Sequence, residues 1–314
     1  MPGASVIVPA RDAAATIGRT LAGLARQAPS GSMEVIVVDD GSTDATAAIA
    51  GAAAVQPTVV EGRGEGPARA RNLGVRAASA PVLAFLDADC DPQPGWLDAG
   101  LRALEEADLV QGAVRPPPRA APGPFDRTLW VNCESGLYET ANLFVRRETF
   151  DAVGGFESWL RPRSGIELGE DILFGWRARR AGARTAFAAD AVAHHAVFGR
   201  GPHDYVAERA RLRFFPAIAA RVPELREQFF FRRVFLSSRS AAFDLALAAA
   251  GAALAGRRPA AAAAAAPYAF LLARHSRRAG RRRWAAVALA DLAADAVGAA
   301  ALAVGSVRHR SPLL

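Results

Sequence analysis

The chain has 314 residues, 51% of them hydrophobic, and carries 38 Arg, no Lys and 31 Asp or Glu, for a formal net charge of +7. That length suits one large domain with an appendage, and the apolar content allows a large core. Two cysteines, Cys90 and Cys133, give neither zinc-ligand spacing nor a disulfide framework, so a reduced, cytosolic setting is expected.

Met1 is followed by PGASVIVPA, with no basic start and no long apolar run, so no secretory signal is expected. The charge is uneven. Residues 1–199 hold 19 Arg and 24 acids, whereas 200–314 hold 19 Arg and 7 acids, net +12. The two parts therefore face different partners.

The first 115 residues alternate between two periods. SVIVPA, EVIVVDD, TVVE, PVLAFLDAD and DLVQGAV read as short, buried, β-branched strands. AATIGRTLAGLARQ, STDATAAIAGAAA, GPARARNLGVRAAS and GWLDAGLRALEEA read as the helices between them. Ser42 or Asp40 is expected to cap the second helix, and Pro67 suits a first turn. Such alternation predicts an α/β fold, a parallel sheet with helices on both faces, and ligands at the carboxyl ends of its strands. The polar residues agree: Arg11 and Asp12, Asp39 and Asp40, and Asp87 and Asp89 each follow a strand.

Asp87, Asp89 and Asp91 end an apolar run at two-residue spacing. Bunched carboxylates repel, and a cation among them relieves that. An EF-hand loop is excluded, because Pro92 occupies the position that needs Gly and a strand precedes the motif. RPPPRAAPGPF (115–125) is a Pro-rich connector, beyond which ETANLFVRR and ARTAFAA read as strands and EDILFGWRARRAG as a helix with acids at its positive end. Residues 200–314 turn Arg-rich and aromatic, then Ala-rich over 240–256, 259–273 and 285–307.

Taken together, SVIVPARDAAATIGRTLAGLARQ, EVIVVDDGSTDAT, ARNLGV, FLDADCDPQPGWL, VGGF and GEDILFGWRARRAG resemble a family 2 glycosyltransferase of the GT-A fold, over roughly residues 4–197. The resemblance implies a GT-A domain over 1–199 and inverting transfer of a sugar from a UDP- or GDP-linked donor with Mg²⁺ or Mn²⁺; charge and composition predict a separate basic, helical, membrane-associating region over 200–314. It implies Asp89 as direct metal ligand, Asp87 facing metal and ribose, and Asp91 and His195 as further ligand candidates. Pro9, Arg11 and one of Asp39 and Asp40 would lie against the base, Arg71 against the diphosphate, and Asp171 would deprotonate the acceptor. Arg11 departs from the aromatic residue many members carry there, although a guanidinium also stacks on a base. His194 is the alternative to His195, and a structural role for either is an ordinary one. No match to the Q-x-x-R-W motif of processive members is present, which points to transfer of one or few sugars. No nucleic-acid partner is expected.

Two other readings compete. Gly62, Gly64 and Gly66 suggest a dinucleotide-binding oxidoreductase, but their spacing is G-x-G-x-G and they follow the third strand, not the first. A nucleotide-sugar-binding protein of the same fold without turnover is the non-enzymatic reading. The +12 tail suggests an anionic membrane on its cytoplasmic side and a lipid-linked or cell-envelope glycan as acceptor. Stretches 240–256 and 259–273 are short for spanning. Residues 285–307 are long enough, but Asp291 and Asp295 share a face, which favours an interfacial helix or a packed bundle.

Overall fold

The structure, a computed structural model, describes residues 2–27, 33–160, 167–256, 258–277, 280 and 283–314, with the backbone alone for 258–262. Two compact units are present: Met1–Ala120 with Thr128–Ala196, and Ala121–Arg127 with Val197–Leu314.

The first unit runs β1 (Ala4–Ala10), α1 (Ile17–Ala25), β2 (Met33–Asp39), α2 (Thr46–Gly51), β3 (Thr58–Glu61), α3 (Pro67–Ala77), β4 (Val82–Leu86), β5 (Cys90–Pro92) and α4 (Trp96–Ala103). It continues through β6 (Leu109–Arg115), β7 (Asn142–Arg146), α5 (Arg147–Ala152), α6 (Glu170–Arg180) and β8 (Thr185–His195). Among the described residues the strands form one eight-stranded sheet in the order β3-β2-β1-β4-β7-β6-β8-β5.

The α/β reading holds, with a mixed sheet. β1 is parallel to β2 and β4, β2 to β3, and β6 to β8, whereas β7 is antiparallel to β4 and β6, and β5 to β8. The parallel part is the part joined by helical crossovers. β7 instead arrives after a helix-free connection over 116–141, so no crossover forces it parallel.

Period two sorts the strand side chains. Val6, Val8, Val35 and Val37 pack with Leu21, Leu24, Trp96 and Phe144 in one cluster. Ile36 and Val38 pack with Ala70 and Leu73 of α3 in another. Both faces are buried, so β1 and β2 read as continuous apolar runs. The strand order reverses between β1 and β4, and at that point the chain ends of the two strands leave a crevice.

Two local expectations need correction. α2 is capped by neither Ser42 nor Asp40; its N-cap is Ala45, and Asp44 Oδ1 accepts from the Thr46 N–H at 2.9 Å. The last strand also runs past ARTAFAA to include His194 and His195. Pro67 does open α3, behind Gly66.

The second unit contains α7 (Pro202–Glu208), a 3₁₀ turn over Arg209–Phe214, α8 (Phe215–Arg221), α9 (Leu225–Gln228), α10 (Ser238–Leu254), α11 (Arg258–Arg277) and α12 (Trp284–His309). Asp291 and Asp295 of α12 face inward. Asp291 is 0% exposed and accepts from Tyr205 Oη at 2.9 Å, with His275 Nδ1 at 2.6 Å. Asp295 takes Arg239 at 2.7 Å and Tyr268 Oη at 2.9 Å. Leu254, Phe270, Leu289, Val304 and Val307 are turned out instead, Leu254 at 92% and Val307 at 82% exposed. The unit thus combines a buried apolar cluster at Ala242, Phe243 and Tyr268 with a buried ionic network and several exposed apolar side chains.

Candidate active site

The loops after β1 and β2 are tied together. Asp12, at φ 49°, accepts from the Thr43 N–H at 2.8 Å, and its own N–H donates to Ser42 Oγ at 3.0 Å. Pro9 pairs in register with Val38 on β2, and Arg11 is exposed just past β1. Asp39, partly exposed at the end of β2, accepts from the Ser42 N–H at 3.1 Å.

Asp40 is 5% exposed and accepts from three successive N–H groups, Gly64 at 2.9 Å, Glu65 at 3.1 Å and Gly66 at 2.8 Å. The sequence does not announce this use of the carboxylate. The same contacts explain the glycines after β3: a Cβ on Gly62 would stand 2.8 Å from Asp40 Oδ1. Those N–H groups are what a dinucleotide phosphate would need, and they are taken.

Arg71, 5% exposed on α3, bridges two carboxylates: Nη2 donates to Asp87 Oδ1 at 2.9 Å and Nη1 to Glu170 Oε1 at 3.1 Å. Its Nε is buried without a partner. Glu167, absent from the sequence-based set, is 6% exposed and accepts from the Ala68 N–H at 3.0 Å, at the positive end of α3.

Asp89 follows β4, and its Oδ2 stands 3.4 Å from His195 Nε2. The other ring nitrogen, Nδ1, lies 2.6 Å from the Ala196 carbonyl. A carbonyl only accepts, so Nδ1 carries a hydrogen and Nε2 is the ring atom turned to Asp89. An imidazolium would pair with that carboxylate directly, whereas a neutral imidazole offers Nε2 as a lone-pair ligand beside Oδ2, so the pair has the donor chemistry of a divalent metal site. It is a pair and not a cage: among the described residues no three His, Cys, Asp or Glu side chains converge as a metal site. Asp91 points elsewhere. Its Oδ1 is 2.6 Å from Arg26, against α1, where a Cβ on Gly23 would stand 2.4 Å from that oxygen. His194 pairs in register with Asp91, and burial lowers its pKa.

Asp171 sits in the first turn of α6, behind Gly169 at φ 72°. Burial holds its carboxyl well above the ordinary value; the charge of Glu170 adds to this and Arg71 opposes it. A carboxylate made more basic is suited to accept a proton near neutral pH.

The family model for glycosyl transferase family 2 matches residues 5–161, half of the chain. The chain belongs to glycosyl transferase family 2. Glycosyltransferase AglE of Haloferax volcanii is 32% identical over 210 residues, 62% of this chain and 67% of AglE. The pre-mycofactocin glycosyltransferase of Mycobacterium tuberculosis H37Rv is 28% identical over 61% of this chain, which spans only 42% of that protein. Among solved structures, mannosyltransferase PcManGT from Pyrobaculum calidifontis, in complex with GDP-Man and Mn²⁺, superposes with a TM-score of 0.64 at 23% identity, covering 95% of this chain and 87% of that one. S. aureus TarS 1–349 with UDP-GlcNAc gives 0.54 at 20% identity, covering 99% and 93%. At these identities the structures show the family 2 fold, the GT-A sheet with its helices.

Proposed function

We propose that the chain is a metal-dependent, inverting, non-processive glycosyltransferase that moves a sugar from a UDP- or GDP-linked donor to an acceptor hydroxyl. The observation that carries the reading is the facing pair Asp89 Oδ2 and His195 Nε2 at the carboxyl end of β4, 3.4 Å apart. Asp89 and His195 would hold Mg²⁺ or Mn²⁺, which when bound neutralises charge on the departing diphosphate. The relatives' bound GDP-Man with Mn²⁺ and UDP-GlcNAc support the donor class.

The remaining roles fall to this chain's own groups. Asp39 reads the base edge, because Asp40 is committed to the loop after β3. Arg11 stacks on the base beside Pro9. Asp87, steadied by Arg71, faces the ribose. Arg71 steadies Asp87 and Glu170 with two of its five N–H donors, and the guanidinium is the group proposed to face the diphosphate. Asp171 takes the proton of the attacking hydroxyl on the side opposite the leaving group, which gives inversion. A screen of UDP- and GDP-sugars with and without Mn²⁺ tests the reading. Metal-dependent nucleotide release is expected; metal-dependent affinity without release would leave a binding protein of the same fold.

The second unit supports attachment to the cytoplasmic face of an anionic membrane, with a lipid-linked or cell-envelope glycan as acceptor. Residues 200–314 carry a net +12, and α12 is long and apolar enough to cross a bilayer by length and composition. The outward Leu, Val and Phe side chains give α10, α11 and α12 a surface suited to lipid.

A further inference from the structure

The connection before β7 carries a carboxylate that the reaction above leaves unused. Glu139 is a partly buried residue whose Oε2 is fully covered and has no hydrogen-bond partner. Gln111 of β6 is 2% exposed, and its Nε2 donates to the carbonyls of Asn142, Glu139 and Gly112 at 2.9, 3.1 and 3.3 Å. Three carbonyls fix the amide's orientation, so its Oε1 faces away from them, and that atom also lacks a partner. Two adjoining residues thus present acceptor atoms with no donor, and a buried acceptor left so is destabilising. What completes them must bring O–H or N–H groups.

The residues around Glu139 pack against the helix that carries the proposed base. Tyr138 is at φ 53°, a strained conformation for an aromatic residue and one that clusters at functional sites. Its ring lies on Gly175 of α6, where a Cβ would come within 2.1 Å of it. Trp176 Nε1 donates to the Gly136 carbonyl at 2.9 Å. The segment is therefore pinned to the helix that begins with Glu170 and Asp171. Burial raises the carboxyl of Glu139, as it does that of Asp171.

We propose that Glu139 is an acceptor-binding residue: its carboxyl receives a hydrogen bond from a second hydroxyl of the acceptor, beside the one that Asp171 deprotonates. The inference rests on Asp171 as the base. The hydroxyl held by Glu139 keeps its proton, and only its neighbour loses one. A site with two carboxyl groups repels an anionic nucleophile, so the acceptor is a neutral, polyhydroxylated sugar and not a lipid phosphate.

The test measures nucleotide release by the full-length protein from GDP-mannose and UDP-GlcNAc with Mn²⁺. Acceptors are the n-octyl glycosides of glucose, galactose and mannose, against geranylgeranyl phosphate. At least one glycoside stimulates release and the phosphate does not. Glu139→Gln raises the acceptor KM about ten-fold, as loss of a hydrogen bond to a charged group predicts, and Glu139→Asp recovers part of it. Affinity for the nucleoside diphosphate, read by calorimetry, stays within about two-fold. Preference for geranylgeranyl phosphate, no stimulation by any glycoside, or an unchanged acceptor KM in Glu139→Gln overturns the assignment. If the variant does not fold, the wild-type acceptor preference decides. A wild-type protein that neither binds nucleotide nor releases it defeats the glycosyl-transfer reading itself, a failure distinct from these.

Discussion

Arg71 and Glu170 lie 99 residues apart in sequence and 3.1 Å apart in space. Through this contact α3 and the start of α6 share one buried guanidinium, whose other arm reaches Asp87 at 2.9 Å. Removing Arg71 leaves Glu170 a buried, uncompensated charge. Arg71→Met is expected to cost about 3–5 kcal/mol, toward the lower end because Asp87 keeps partial access to solvent. Urea unfolding of the variant against wild type measures it; a loss below about 1 kcal/mol would show the bridge to be as weak as an exposed pair.

Arg71 also opposes the upward shift at Asp171. With Asp171 as the proposed base, its carboxylate is the active form, so kcat is expected to rise with pH through a midpoint above the ordinary carboxylate range. Stability moves the other way. The unfolded chain releases this proton first, so stability falls as pH climbs from the ordinary value toward the raised one. Asp171→Asn abolishes both trends, lowers kcat by on the order of 10²–10⁴, and keeps nucleotide affinity. A flat pH profile in the wild type, or near-normal transfer by Asp171→Asn, returns Asp171 to a helix-start role.

Asp89 and His195 are tested by metal-dependent affinity alone, without turnover. Calorimetric titration of GDP and UDP, each with and without Mn²⁺, is expected to show a metal-dependent gain in the wild type. Asp89→Ala abolishes that gain and His195→Ala weakens it by on the order of ten-fold or more. An unchanged gain in Asp89→Ala moves the metal away from this strand end.

The sheet was legible in the sequence because both faces of β1 and β2 are buried, and Val6, Ile7, Val35 and Ile36 form uninterrupted apolar runs. The start of α6 at Glu170 was legible for its acids after a glycine. Other features were not. β7 reverses the sheet direction, which depends on a connection whose path no local pattern encodes. Asp39 and Asp40 are adjacent and chemically identical, yet only Asp40 is wrapped by Gly64, Glu65 and Gly66. The distinction is tertiary; the nearest signal was the glycine run itself. Asp91 carries the same spacing as Asp87 and Asp89, and only the bare surface of α1 at Gly23 reveals that it turns toward Arg26.

The membrane reading predicts that the full-length protein floats with vesicles containing anionic lipid in a sucrose gradient at low salt. Release by salt marks peripheral attachment through the Arg-rich surface. Retention until detergent is added marks insertion of at least one helix. A protein left entirely at the bottom of the gradient overturns the membrane assignment.

Ala121–Arg127 belongs to the helical unit although it is encoded between two strands of the sheet. Arg127 pairs with Phe198, Arg200 donates to the Phe125 carbonyl, and the Phe125 and Tyr205 rings lie 5.3 Å apart. The chain therefore crosses between units three times, after Ala120, after Arg127 and after Ala196. No single proteolytic cut can release either unit. During synthesis the short strap leaves the ribosome well before Phe198, Arg200 and Tyr205, and it waits without its partners while β7 completes the middle of the sheet. A gene shortened after Ala196 would keep that strap permanently undocked, because Phe198, Arg200 and Tyr205 would be missing.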